Sequence, residues 1–300
     1  MLHRQSVLLL GGSGFLGSAM RRAMGMEVAV WTYHENPASD GRSRSFDASS
    51  TPVKDLIAGL RGKPDAAIVL FGRTSIDFCA RHPLESAKVN VQGAVRVVDE
   101  LRELGIMPVF VSSDAVFDGS RSWSREDDPV RPILTYGKQK LEVEQHIAAL
   151  PPPWLVVRLP KLVSENGDPR CMLTQWMKQL QAQEEILCAT DQFFTPAAAA
   201  DVAGAIRALI RNGAQGLFHL GGAQRLSRRD LLSLLVEEYG RHKSVRTRIV
   251  DCLLKDLNFA EERPRDTSMR SDKARKEFQY EQKPLSTVVQ AAVAACERAS

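Results

Sequence analysis

A chain of 300 residues with 44% apolar and 25% charged side chains has length for two domains, or one large domain with an appendage, and can bury a core without covalent staples. Its 40 Lys and Arg against 36 Asp and Glu leave a net charge of +4, which excludes disorder and an acidic tail. The cations are dispersed: Arg21-Arg22 and Arg228-Arg229 are pairs, not the runs that mark nucleic-acid or anionic-lipid patches, so neither nucleic acid nor membrane is the expected partner. The five cysteines, Cys79, Cys171, Cys188, Cys252 and Cys296, form no CxxC and have no His at zinc-finger spacing, so reduced thiols and no metal site are expected. No apolar run approaches the roughly 18–20 residues of a membrane span. The opening Met1-Leu-His-Arg leads into an apolar run at 7–10 too short for a signal-peptide core, and a cytoplasmic protein is expected.

Along the first half, apolar runs at 6–10, 28–32, 66–71, 108–112 and 154–159 are bounded by Gly, Pro or charge, the pattern of strands buried on both faces. Helical patterns alternate with them. Within 84–104, Val91, Ala94, Val95, Val98 and Leu101 make one apolar stripe, and Thr51-Pro52 reads as a cap and first position before Leu56, Ile57 and Leu60. Alternating strands and helices predict a Rossmann-like, doubly wound parallel α/β sheet over residues 1–159. Residues 160–300 predict a smaller, mostly helical substrate-binding region with some segments returning to the sheet. Its markers are a helix at Val202–Ile210, a strand at 216–220, and a capping box of Ser227 with Asp230 before 231–239. A closing helix runs from Leu285 to Cys296, and the Ala197–Ala200 run is expected to start a helix.

Directly after the first strand, Gly11-Gly12-Ser13-Gly14-Phe15-Leu16-Gly17 places glycines at 11, 14 and 17. One glycine turns out of the strand, one lets backbone approach a pyrophosphate, and one packs the helix on the sheet, with helix N–H groups facing the phosphates. At the end of the second strand, where an acid usually meets the ribose, stands Thr32-Tyr33-His34-Glu35. His34, with Arg42 and Arg44 nearby in sequence, suits a 2′-phosphate, which favours NADP. Glu35 as a displaced acid would favour NAD.

Tyr136-Gly137-Lys138-Gln139-Lys140 sets a phenol and an ammonium four residues apart on one helix face. An adjacent ammonium favours the ionised phenol, which otherwise has a pKa of about 10. Ahead of it, Val109-Phe110-Val111-Ser112-Ser113-Asp114 is a strand ending in hydroxyls at the carboxyl edge of the sheet, where ligands of open α/β sheets bind. Ser113 can donate to a carbonyl while Tyr136 supplies a proton; otherwise the two serines cap a turn.

These residues resemble the extended short-chain dehydrogenase/reductases, and within them the dTDP-4-dehydrorhamnose reductase-like group, which also takes in the regulatory subunit of methionine adenosyltransferase. The resemblance spans nearly the whole chain. It adds Asn90-Val91-Gln92-Gly93, Ser112-Ser113-Asp114-Ala115-Val116-Phe117-Asp118-Gly119, Asp191-Gln192 with Thr195-Pro196, Phe218-His219-Leu220-Gly221-Gly222 and Arg263-Pro264-Arg265.

The resemblance implies Ser113, Tyr136 and Lys140 as catalytic residues, with Tyr136 and Lys140 also at the nicotinamide ribose. It implies cofactor contacts from Gly11, Gly14, Phe15, Leu16, Gly17, His34, Asp47 at the adenine, Phe71, Gly72 and Asn90, the last bracing the catalytic helix. On the substrate side it implies Asp114, Arg263 and Arg265, the two arginines as phosphate partners. The chain departs from the group at Ala115, where an aromatic is common, and at Phe71-Gly72-Arg73, where small residues are usual. Arg73 is expected to reach a substrate anion or a surface carboxylate.

The expected activity is NAD(P)H-dependent reduction of a ketone on a nucleotide-linked deoxysugar, with NADP as cofactor and NAD as the alternative. A nucleotide-sugar epimerase and a non-catalytic NADP-binding regulatory subunit are the competing functions. Dehydration is disfavoured because Asp114 is followed by Ala115, not a second carboxylate. Helices near 84–104 and 134–150 are expected to pair across a homodimer.

Overall fold

The computed structural model describes residues 5–35 and 40–299; the Met1–Arg4 opening used above lies outside them. The first half alternates β1 (Val7–Leu10), α1 (Phe15–Met24), β2 (Val28–Tyr33), β3 (Ser43–Ser45), α2 (Val53–Ile57) and β4 (Ala66–Val69). It continues with α3 (Ile76–Arg81), α4 (Pro83–Ala87), a π-helical turn at Lys88–Gly93, α5 (Ala94–Glu103), β5 (Met107–Ser113), α6 (Thr135–Ala148) and β6 (Leu155–Leu159). The second half adds β7 (Leu162–Val163), α7 (Met172–Ala182), β8 (Ile186–Ala189), β9 (Phe193–Phe194), β10 (Ala197–Ala198), α8 (Ala199–Arg211) and β11 (Gly216–His219). It closes with β12 (Leu226–Ser227), α9 (Arg228–Gly240), β13 (Ile249–Cys252), α10 (Asp272–Phe278) and α11 (Leu285–Ala299).

Seven strands form one parallel sheet in the order β3-β2-β1-β4-β5-β6-β11. This is a Rossmann-like α/β sheet whose order reverses between β1 and β4, and a crevice opens at the carboxyl ends of the strands there. Strand period explains why β1 is apolar throughout. Val7 and Leu9 join the core under α1 and α8, while Leu8 and Leu10 join the core under α5 and α6.

Residues beyond 159 contribute to that sheet as well as to a separate core. β11 is its edge strand, and Val202, Ile206, Leu209 and Ile210 of α8 lie in the same core as Val7 and Leu9. The separate core packs Trp176 and Met177 of α7 with Leu231, Leu232 and Leu235 of α9 and Val288 and Val289 of α11. At about 1.5–3 kcal/mol per fully buried large apolar side chain, each core sustains its layer.

Some local expectations change. Thr51 does not cap α2: its Oγ1 accepts from the Asp47 N–H at 3.1 Å, Pro52 is the cap position, and the Val53 N–H is taken by the Glu100 carboxylate at 2.7 Å. The alanine run at 197 is first a strand, because β10 pairs with β7, and the helix begins at Ala199. The pairs β7–β10, β9–β12 and β8–β13 give the second half more strand than its helical stripes announce. The Ser227–Asp230 box is formed in both directions, at 3.0 and 2.9 Å. All five cysteines are free thiols, and among the described residues no helix is long and apolar enough to cross a membrane.

Candidate active site

The site starts at the carboxyl end of β1. Gly11 adopts φ +94°, and a Cβ there would meet the Phe71 N–H nitrogen at 2.7 Å; a Cβ on Gly17 would run into the Gly11 carbonyl oxygen. Only hydrogen at both positions lets α1 start this close to the sheet. Gly14 is the cap position of α1 without a side-chain cap, and the first turn holds no acid, so the helix N-terminus faces the crevice as unneutralised N–H dipoles.

A cavity of about 1010 Å³ runs from this turn into the second half of the chain. Gly11, Gly14, Phe15, Leu16, Gly17, His34, Phe71 and Gly72 line it, as do Ser113, Asp114, Tyr136, Lys140 and Arg263. Such a volume sits at the upper end of the usual range for small-molecule sites.

Other named residues do not line the cavity. Arg42 is clamped on Asp40 and donates to the carbonyls of Gly25 and Val28 at 3.0 and 3.2 Å, at the opposite end of β2 from His34. Arg44 is spent on the Gly41 and Ser43 carbonyls. The Asp47 carboxylate accepts from the Ser49 N–H and hydroxyl at 2.8 and 2.6 Å, bonds that hold it below the usual carboxylate range. Phe46 lines the cavity wall instead, edge-on to Phe71 at 5.5 Å.

Asn90 is buried behind that wall: its Oδ1 accepts from the Arg73 N–H at 2.7 Å, and its Nδ2 donates to the Arg73 carbonyl at 2.9 Å and to Gln139 Oε1 at 2.8 Å. It therefore ties the segment after β4 to α6. The Arg73 guanidinium lies over the Phe78 ring at 5.6 Å, and Arg265 is largely exposed, 3.8 Å from Asp191.

At the reacting end, β5 delivers Ser113 and α6 delivers Tyr136 and Lys140. Ser113 Oγ donates to Asp114 Oδ1 at 3.0 Å and accepts from the Ala115 N–H at 3.2 Å; Thr267 Oγ1 donates to the other Asp114 oxygen at 2.7 Å. Burial raises the Asp114 carboxyl against those bonds. Lys140 Nζ donates to the Val111 carbonyl at 2.8 Å, lies over the Phe110 ring at 4.6 Å and stands 5.7 Å from the Tyr136 ring centroid. Burial lowers the Lys140 ammonium to about 8. For Tyr136, burial and then the Asp114 charge push the phenol upward, so desolvation outweighs the lowering that the Tyr-Lys spacing predicts.

The second half contributes wall residues that no motif announced. Lys161 follows β6, Arg170 reaches the Ser13 carbonyl at 3.1 Å, and Gln175, Trp176, Gln192, Phe194 and Arg228 complete the far side. The cavity is basic: Lys140, Lys161, Arg170, Arg228 and Arg263 face Asp77 and Asp114. Their signal in sequence was no more than a cation or aromatic near a strand end, indistinguishable there from a surface residue.

Sheet order, glycine turn and the Ser113–Tyr136–Lys140 cluster define a Rossmann-like protein of the extended short-chain dehydrogenase/reductase type. Residues 5–298 match the family described as the RmlD substrate binding domain, and the chain belongs to that family. Among curated proteins it is 28% identical over 266 residues to the probable low-salt glycan biosynthesis reductase Agl14 of Haloferax volcanii, covering 85% of this chain and 86% of that one. It is 24% identical to the dTDP-4-dehydrorhamnose reductase of Sinorhizobium fredii, over 89% and 90% of the two chains. The dTDP-4-dehydrorhamnose reductase of Bacillus anthracis, solved in complex with NADP, superposes with a TM-score of 0.82 at 20% identity, over 95% of this chain and 97% of that one.

Proposed function

We propose that the protein is an NAD(P)H-dependent reductase of a ketone on a nucleotide-linked deoxysugar, with Tyr136 as proton donor. The observation that carries this reading is the convergence of Ser113, Tyr136 and Lys140 on the cavity that begins at the glycine turn. Kinship with named dTDP-4-dehydrorhamnose reductases supports the reaction class.

The residues fit a dinucleotide: a glycine turn with no room for a Cβ, an open helix N-terminus for pyrophosphate, and a basic wall. Gly11, Gly14, Phe15, Leu16 and Gly17 would hold the pyrophosphate, and Phe71 and Gly72 the nicotinamide half. His34, in the cavity lining, would meet a ribose 2′-phosphate, the reading that favours NADP; the Glu35 carboxylate 3.5 Å from it would favour NAD, the alternative. When bound, reduced nicotinamide supplies hydride.

The chain's own groups do the rest. Ser113, turning its one hydroxyl proton from Asp114 to the substrate, polarises the carbonyl. Tyr136, kept neutral by burial, gives its hydroxyl proton to the alkoxide oxygen as it forms. Lys140, anchored on the Val111 carbonyl, places its charge beside the phenol and stabilises the phenolate left behind. Arg263 on the substrate side is a phosphate partner, and Asn90 positions α6 through Gln139.

The test is oxidation of NADPH in the presence of dTDP-4-dehydrorhamnose, with Tyr136→Phe alongside. Cofactor consumption reduced by about 10²–10⁴-fold in the variant, with NADPH affinity kept, is expected. Product without net cofactor consumption would mean an epimerase. Tight NADPH binding without turnover of any nucleotide ketosugar would mean a regulatory subunit. Titration is expected to give tighter NADPH than NADH, with the preference reduced in His34→Ala.

A further inference from the structure

The helix that carries Tyr136 and Lys140 does not cap itself. Leu134, at the cap position of α6, has no side-chain oxygen to offer, and the first turn, residues 135–138, holds no acid. Tyr136 is the second residue of that turn, so whatever holds the turn holds the phenol. The ties already described lie one turn further on. Gln139 meets Asn90 and Ser86, each at 2.8 Å, and Lys140 meets the Val111 carbonyl.

The missing cap comes from 126 residues further along the chain. Glu261, half-buried, takes the Thr135 N–H on both carboxylate oxygens, at 3.2 and 3.1 Å, and the Thr135 hydroxyl donates to Oε2 at 3.0 Å. A carboxylate there satisfies an orphan donor and meets the positive end of the helix dipole. The same stretch of chain crosses to α3. The Ala260 N–H donates to Asp77 Oδ1 at 3.0 Å, and Arg263 Nη2 donates to the same oxygen. The Arg263 guanidinium lies over the Phe259 ring at 4.6 Å, and Phe259, Arg263 and Pro264 line the cavity. Residues 259–264 thus form a strap along the cavity wall, tied to α3 by Asp77 and to α6 by Glu261.

We propose that Glu261 is a positioning residue for Tyr136: its carboxylate caps α6 from the second half of the chain, so the turn that carries the phenol is set only when the 259–264 strap is seated. The consequence for the reaction rests on the reductase reading; the cap rests on the three bonds to Thr135. A cap supplied by a sequence neighbour would form with the helix itself. One supplied from so far away makes the start of the helix depend on closure of the two halves of the chain, and small misplacement of a proton donor is costly to rate.

The experiment reads amide hydrogen exchange residue by residue by NMR in the full-length protein, with NADPH oxidation measured alongside. In Glu261→Ala the amides of Thr135 and of Lys138, whose N–H donates to the Leu134 carbonyl at 2.9 Å, are expected to exchange about tenfold faster. Amides of residues 143–148 in the same helix are expected to keep their rates. The kcat is expected to fall about tenfold with the KM for NADPH unchanged, and Glu261→Gln, which keeps an acceptor oxygen, to recover most of both losses. Unchanged exchange at Thr135 and Lys138 overturns the cap. A lower Tm with an unchanged kcat per NADPH-binding site overturns the positioning role, because a purely structural contact would lose stability alone. If Glu261→Ala fails to fold, the parent and Glu261→Gln decide: a Thr135 amide that exchanges at the open-chain rate in both overturns the proposal. Absence of ketosugar turnover by the parent would remove the reductase reading and leave the exchange measurement to decide the cap.

Discussion

Tyr136 and Lys140 respond in opposite directions to the same burial. The phenol is pushed above its ordinary value and keeps its proton throughout the neutral range. The ammonium, lowered to about 8, is charged below that pH and loses its proton as the pH rises through it. If the Lys140 charge supports proton transfer, kcat is level near neutrality and falls above about pH 8. In Lys140→Arg, whose guanidinium does not deprotonate in this range, the alkaline fall should move upward; an unmoved fall in a pH–rate series would show that another group sets it.

At this scale the glycine turn, Ser113, Tyr136 and Lys140 were legible in the sequence, because each occupies a fixed place on a strand end or helix face. The hydrogen bonds of Arg42 and Asp47 were not: those side chains bind Asp40 and Ser49.

Among the elements, α6 depends on contacts made behind the cavity. The apolar stripe in 84–104 predicts one helix, and the chain is helical there, but it includes the π-helical turn Lys88–Gly93 that carries Asn90. Stripe periodicity does not reveal such a turn, since one wide turn leaves the flanking residues on the same face. Asn90→Ala would strand the Arg73 N–H and carbonyl and Gln139. It is expected to cost about 2–3 kcal/mol in urea unfolding and to lower kcat more than it raises the KM for NADPH.

Gly137 shows the same dependence from the other side of α6. A Cβ there would run into the Ala115 carbonyl oxygen, which is backbone and cannot swing away. Gly137→Ala is expected to push α6 off the Ser113 turn and lower kcat/KM. Normal kinetics in this variant would show that the helix and turn are not held in close register.

Across the molecule, a buried charged network joins β6, α6 and β11. Arg158 Nη2 donates to Glu144 Oε2 at 2.7 Å, its Nη1 lies 3.4 Å from His219 Nε2, and the His219 backbone N–H donates to Glu126 Oε1 at 2.9 Å. Removing one partner leaves an uncompensated buried charge, so Glu144→Gln is expected to cost about 3–5 kcal/mol in denaturant unfolding.

His219 adds a pH dependence. Burial, then Arg158, lowers its pKa to about 3. Between that value and the unfolded pKa of about 6.5 the unfolded chain binds the additional proton, so stability falls as the pH falls. The slope from this residue is at most about 1.4 kcal/mol per pH unit. His219→Gln is expected to flatten the Tm profile below pH 6.5; an unchanged slope would assign the acid sensitivity to other groups.

The sequence by itself determined the alternation of strand and helix, the parallel sheet, the glycine turn and the Ser-Tyr-Lys cluster, because these follow from residue type at short, fixed spacing. Tertiary structure decided that β11 and α8 return to the first layer, that Arg265 stays outside the cavity, and that Lys161 and Arg228 stand in its wall. The physical reason is that a charge on a loop has no sequence marker of where it points. Which cations are paired, buried or left for a ligand is settled when distant segments close on one another.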